Sequence, residues 1–387
     1  MDSNFIKNSF FENIKQLFNY KRQNSDNYSL KTSVSKNMSV NIKAQNIIIE
    51  DSPKMALYDS KKIIKEVIEE LTPQFKNIAK NTFDSRIKEY EEKIISELSN
   101  LNLESLLKFK KPETQYILSE ATRISGLKED KNLRNLLAKL VIEKVKNDDR
   151  NEDNFKDLIF NEAIKTIEIL NLNQIKIITL SFLLREVYYT GIKNIDQYKE
   201  YLDNTIKPFI DIDINRHDFE YIDYAGLAIL TEFFADDYIS SVVRRWPHLF
   251  LKPIDPKSDR IGFLNYHNPE MLIKNNNEEY FLNFPNLYTG KYDDNLVKLK
   301  SFLVNLYSIS EIISDNVISI FKSHIKDKKS IEDDLINLSD TSRKIIELFK
   351  DTLFKSIRLT TVGRLIAFTN YVESSGDKLD FDVFLLP

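Results

Sequence analysis

QYILSEATRISGLKEDKNLRNLLAKLVIEKVKNDDRNEDNFKDLIFNEAIKTIEILNLNQIKIITLSFLLREV, residues 115–187, is the stretch that decides the fold class. Four helical patterns follow one another in it, separated by short polar breaks. In the second, Leu133, Leu136, Leu137, Leu140, Val141 and Val145 recur at the i, i+3, i+4, i+7 spacing of one helix face. Gly126 and the charged run LKEDKN, residues 127–132, divide the first two helices. Asn154 before Phe155 reads as an N-cap, Asn173 as the cap of the helix through Ile178 and Leu184, and Gly191 as its C-terminal stop. A block of this kind buries a continuous apolar core and carries no chemistry of its own.

Working outward toward the N-terminus, residues 53–100 continue in helical register, with Ile63, Ile64, Val67, Ile68, Leu71 and Phe75 in one stripe and Ile87, Tyr90, Ile94, Ile95 and Leu98 in the next. Thr72-Pro73 starts a second helix or kinks one long helix. The run EYEEK, residues 89–93, reads as an exposed helix face with i, i+4 pairs. Residues 38–51, MSVNIKAQNIIIED, differ in kind. Val40, Ile42 and Ala44 alternate with polar neighbours, and Ile47, Ile48 and Ile49 follow. One strand leaves its own backbone groups unpaired, so this one needs a distant strand of the chain or copies of itself. Val40, Ile42, Ile47, Ile48 and Ile49 are therefore the candidate oligomer interface. At residues 4–20, Ile6, Phe10, Ile14 and Phe18 share a face with Leu17, which suits packing on a partner or on the chain's own body, or lying on a membrane surface.

Toward the C-terminus, residues 206–224 gather Asp211, Asp213, His217, Asp218, Glu220 and Asp223. These are metal-ligand types, but the spacing fits no known loop and equally suits an exposed turn with capping aspartates. Residues 227–238 are apolar enough for a core helix. Beyond it Arg244, Arg245 and Trp246 offer either a base- or phosphate-binding group, or a buried Trp with arginines at its rim. Half of the ten prolines fall between Pro247 and Pro285 and mark an irregular connection with room for a short hairpin. Residues 296–326 read as one long helix with Leu303, Leu306, Ile313, Val317 and Ile320 spaced for burial, and residues 330–354 as two shorter ones. A helix over 356–371 and a strand over Leu379–Leu385 close the chain.

Composition bounds the rest. The 387 residues allow two or three domains. Seven glycines point to helices over tight-turn β architecture, and a net charge of −4 exerts no general pull on nucleic acid or anionic membrane. With no cysteine there are no disulfides, thiolate metal sites or Cys nucleophile. No run reaches the roughly 18–20 apolar residues of a spanning helix. No signal-peptide pattern opens the chain, because Lys7, Glu12 and Lys15 interrupt it, and the reading is a cytoplasmic protein. The nearest two glycines, Gly363 and Gly376, are too far apart for a phosphate-cradling loop, and the four histidines show no HExxH spacing. No cofactor, catalytic residue or metal ligand is assigned.

The block QYILSEATRISGLKEDKNLRNLLAKLVIEK, then LIFNEAIKTIEILNLNQIKIITLSFLL, resembles a poorly characterised family of bacterial helical proteins similar in pattern to the abortive-infection alpha proteins. The C-terminal LTTVGRLIAFTNY with LDFDVFLL resembles that family's ending, and NMSVNIKAQNIII its short β segment, without the glycines usual there. The resemblance covers most of residues 37–190 and 355–387. It implies bacterial defence against phage, as an oligomeric sensor or effector, and brings no catalytic residues.

The expectation is thus a mainly α fold, a multi-helix body with minor β contributed by one N-terminal and one C-terminal strand. Its parts are an amphipathic segment and polar linker (1–36), a β segment (37–52), a helical core (53–246), an irregular connection (247–292) and a C-terminal helical region ending in a strand (293–387). The expected function is that of a non-enzymatic homo-oligomer acting with a neighbouring defence protein or a phage component, with nucleic acid not indicated. A metal-dependent nuclease or hydrolase using residues 211–223, or a membrane-acting effector using residues 4–20, are the alternatives.

Overall fold

The structure, a computed structural model, describes residues 53–98, 101–146, 154–187, 189, 192, 194–231, 237–255, 272–274, 279–282, 292–305 and 308–376. The segments holding Ile6, Phe10, Ile14 and Phe18, the strand residues Val40, Ile42, Ile47, Ile48 and Ile49, Gly191, and the strand expected over Leu379–Leu385 lie outside the described residues. The fold is mainly α, and the chain divides into two compact units, Met1–Asp157 and Leu158–Pro387.

The first unit is built on α1 (Pro53–Leu98), with α2 (Leu103–Lys108), α3 (Pro112–Leu127) and α4 (Lys131–Lys146). The chain stays helical through Pro73, so no second helix starts there. Ile87, Tyr90, Ile94 and Leu98 are buried on the face that meets α3 and α4, as is the whole predicted stripe Leu133, Leu136, Leu137, Leu140, Val141 and Val145. Gly126 is not the break between helices. It sits inside α3, and a Cβ there would come within 2.3 Å of the Phe83 ring, so glycine lets α1 and α3 approach. The run EYEEK is only partly an exposed face. Lys93 does pair with Glu97 one turn on, but Glu91 is buried and Glu89 bonds to Arg134 of α4.

Helix α5 (Asn154–Thr166) begins in the first unit and runs into the second, whose next elements are α6 (Leu172–Arg185) and α7 (Ile195–Tyr201). A π-helical stretch, Leu202–Ile206, joins α7 to the short α8 (Lys207–Ile210), and α9 (Arg216–Tyr224) follows. Asn171, not Asn173, caps α6, in a reciprocal box with Gln174. Helix α6 is apolar on nearly all sides because it is the buried axis of this unit. It packs along α16 (Thr361–Ser375), where Phe182 meets Phe368 edge-on at 6.2 Å and the Asn370 amide donates to Thr179 Oγ1 at 2.9 Å.

The run expected as a helix over 227–238 opens as a strand. Gly226, at φ 70°, turns the chain out of α9, and Ala228–Leu230 forms β1. It pairs antiparallel with β4 (Ile357–Leu359), Ala228 opposite Leu359 and Leu230 opposite Ile357. The first residues of the expected C-terminal helix are therefore a strand, and α16 starts only after Thr360, its N-cap. Helix α10 (Tyr238–Arg245) begins at the Asp237 cap.

In the irregular connection, β2 (Leu272–Lys274) and β3 (Tyr280–Leu282) make the short antiparallel hairpin for which the sequence left room. The long helix expected over 296–326 is two: α11 (Tyr292–Asn305) and α12 (Glu311–Ser323). Ser308 takes φ 54°, Ser310 caps α12, and Lys300 pairs with Asp315 across the two at 2.8 Å. Leu299, Leu303, Ile309, Val317 and Phe321 then close a core with Leu251, Ile254 and Leu282, while Ile313 faces outward. Three short helices follow where two were expected: α13 (Lys328–Leu338), α14 (Asp340–Leu348) and α15 (Thr352–Ser356), with Ser339 capping the second.

Among the described residues no helix is long and apolar enough to cross a membrane.

Candidate functional site

The acidic segment 211–223 opens on a loop and continues as α9, held against the start of α6. Asp218 accepts hydrogen bonds from the side-chain amides of Gln174 (2.9 Å), Asn173 (2.9 Å) and Asn171 (3.3 Å). Asn173 also bonds both backbone groups of Asp213, each at 2.9 Å. Asp211 pairs with Lys344 at 2.6 Å, and that hydrogen bond holds its carboxyl below the usual range. Glu220 is lowered likewise by Arg216, 2.8 Å away, and faces His217 at 3.7 Å. The cap of α9 is Asn215, not an aspartate. Asp213 and Asp223 are exposed. Among the described residues no group of three or more His, Asp or Glu side chains is placed to hold a metal ion. The segment is bound into the scaffold through partners some forty residues away, which sequence spacing does not reveal.

A different cluster carries more unusual physics. On α7, Tyr198 and Tyr201 are one turn apart and share a face. On α10, Tyr238 and Arg245 are two turns apart and do the same. The two faces meet. The Tyr198 and Tyr238 hydroxyls lie 2.7 Å apart in a hydrogen bond, and Trp246 packs against Tyr198 at 5.1 Å and Tyr201 at 6.0 Å between ring centroids. Tyr189 stacks on Tyr201 at 5.7 Å, and its carbonyl accepts from Trp246 Nε1. Trp246 is buried, as one sequence reading had it, but its arginines are not both at a rim. Arg244 is exposed, whereas Arg245 is only 6 % exposed, with its guanidinium 5.9 Å from the Trp246 ring.

Burial sets the protonation states here. It pushes the Tyr201 hydroxyl up to about 12 and the Tyr198 and Tyr238 hydroxyls well above the usual phenol range, so all three are neutral donors. Burial also lowers Arg245, yet a guanidinium stays charged at any physiological pH. Nearby His248 is pushed down to about 4 by burial, against the opposing bond to the Ile192 carbonyl, and is neutral. The sequence signal was modest: two tyrosines at helical spacing and the RRW triplet. What it hid is which arginine turns inward.

A protein-family model matches residues 55–385. The chain belongs to that family. The family is uncharacterised, and its match runs from the first turn of α1 through α16, so the aromatic cluster and the 211–223 segment both lie within it, whereas residues 4–20 and 38–51 do not. No curated protein and no solved structure matches the chain.

Proposed function

We propose that this protein is a self-associating, non-enzymatic helical protein of bacterial defence against phage, working in the cytoplasm as an abortive-infection-type sensor or effector. The defence setting rests on the resemblance of residues 37–190 and 355–387 to the family of bacterial helical proteins named above. One observation supports treating those distant blocks as a single scaffold. Leu172–Arg185 and Thr361–Ser375, which belong to different blocks, pack along each other as α6 and α16 through Phe182, Phe368, Thr179 and Asn370. The engagement of Asp211, Asp218 and Glu220 in ion pairs and amide hydrogen bonds weighs against the catalytic alternative at 211–223.

Two measurements test the reading. Expressed in a phage-sensitive bacterium, the chain is expected to lower the efficiency of plating of at least one phage in a broad panel. An Asn370→Asp variant, which sets a carboxylate against Thr179 in the α6–α16 seam, is expected to lose that protection. By mass photometry the full chain is expected to be oligomeric, and Val40→Asp with Ile42→Asp to be monomeric. Unchanged plating across the panel refutes the defence role; a monomer at micromolar concentration refutes self-association.

A further inference from the structure

Among the described residues the other buried cations are answered. Arg134 bonds to Glu89 and to the carbonyls of Lys128 and Glu129, and Lys144 pairs with Asp157 at 2.6 Å. Arg245 is as buried as Arg134, and among the described residues it makes neither a hydrogen bond nor an ion pair. The groups that act on it most strongly are the hydroxyls of Tyr201, Tyr198 and Tyr238 and the guanidinium of Arg244. Its nitrogens are not among the fully enclosed atoms that lack a partner, so the guanidinium keeps a path to solvent while its stem is buried against the Trp246 ring. A second unmet donor lies beside it: the Tyr201 hydroxyl is buried without a hydrogen-bond partner among the described residues. The Tyr198–Tyr238 bond uses one hydroxyl hydrogen and leaves the other to donate elsewhere.

We propose that Arg245, Tyr201 and the Tyr198–Tyr238 pair form a binding site for a tetrahedral oxyanion, of the class of inorganic phosphate or the terminal phosphoryl group of a small molecule. The donor set selects that chemistry. The guanidinium fork reaches two oxygens at once, and two hydroxyl hydrogens from α7 and α10 reach a third. A two-oxygen carboxylate leaves one of those donors idle. The largest influences on the guanidinium, apart from its burial, are three tyrosines and Arg244, and none of these is a carboxylate. The site is independent of the defence role proposed above.

Trp246 is the only tryptophan of the chain, so its emission reports on this cluster. The full-length protein is titrated with sodium phosphate at constant ionic strength, with sodium chloride and sodium acetate as parallel arms. Phosphate is expected to give a saturable change in emission, and chloride and acetate none. Tyr201→Phe removes one hydroxyl that has no hydrogen-bond partner among the described residues and leaves the packing; it is expected to weaken phosphate binding roughly tenfold or more. Arg245→Met is expected to abolish the response while the protein stays folded, because an apolar side chain of similar length keeps the buried stem and removes a charge that has no ion pair among the described residues. Adenosine 5′-monophosphate and glycerol 3-phosphate distinguish the sources: tighter binding of a monoester assigns a phosphoryl ligand, equal binding assigns free phosphate. A wild-type protein indifferent to phosphate, an equal response to acetate or chloride, or a full response in Tyr201→Phe each overturns the proposal. Should Arg245→Met fail to fold, the Tyr201→Phe comparison decides alone.

Discussion

Gly363→Ala sets two effects of opposite sign against each other. Gly363 lies in the first turn of α16, where replacing glycine by alanine ordinarily stabilises a helix by about 1 kcal/mol. Here the new Cβ would lie 2.0 Å from the Leu227 carbonyl oxygen and 2.9 Å from its carbon, and the obstacle is backbone, with no rotamer to swing away. Leu227 must retreat by roughly an ångström, at an overpacking cost of about 1–3 kcal/mol. The same carbonyl accepts the Thr360 N–H at 2.9 Å, and Thr360 Oγ1 donates to the Gly226 carbonyl at 2.7 Å. Losing both adds about 2 kcal/mol. The net expectation is a loss of about 2–4 kcal/mol, or a fall of about 1 M or more in the urea midpoint. Urea unfolding followed by Trp246 emission reads the second unit, which contains both Gly363 and Trp246. An unchanged or higher midpoint would show that helix propensity outweighs the contact, and the reasoning about the α16–β1 approach would be wrong.

Gly126→Ala is the companion case: its obstacle is the Phe83 ring, which can rotate away, so circular dichroism is expected to show a loss smaller than that of Gly363→Ala. For His248, the folded value of about 4 lies below the unfolded value of about 6.5, so between these pH values the unfolded chain binds a proton that the folded chain refuses. Stability therefore falls as pH drops from 6.5 toward 4, by on the order of 3 kcal/mol from this group; His248→Gln should flatten that part of the profile, and parallel wild-type and variant profiles would contradict the assignment. Asp218→Ala removes the acceptor shared by Asn171, Asn173 and Gln174 and is expected to cost about 1–2 kcal/mol in urea unfolding; no change would mean that solvent replaces the carboxylate without loss.

The fold class was readable from residue order alone because a helix advertises itself locally. Four helices stand where residues 115–187 showed four patterns, and every Leu and Val of the 133–145 stripe is buried. Errors arose where local signals have two solutions. Residues 227–238 are apolar enough for a helix, but Gly226 turns the chain and Ile357–Leu359 offers backbone partners, so a strand forms. Leu296 to Lys326 keeps helical spacing throughout, yet Ser308 and Ser310 fold it back so that Leu303 and Val317 share one core. Asn171 and Asn173 are both cap residue types, but only Asn171 has a glutamine three residues on. Asn171 caps because Gln174, three residues on, completes the box, while Asn173 is taken up by Asp213 and Asp218.

By itself, then, the sequence determined a helical body, its apolar faces and the place of its irregular connection, because these follow from the spacing of side chains along a single helix. It also placed Arg244, Arg245 and Trp246 next to one another. Only the tertiary structure decided that Arg245 turns inward while Arg244 meets solvent, and that the faces of α7 and α10 bring three tyrosine hydroxyls beside it. The cost of burying a charge depends on everything packed around it, and those neighbours come from segments far apart in the chain.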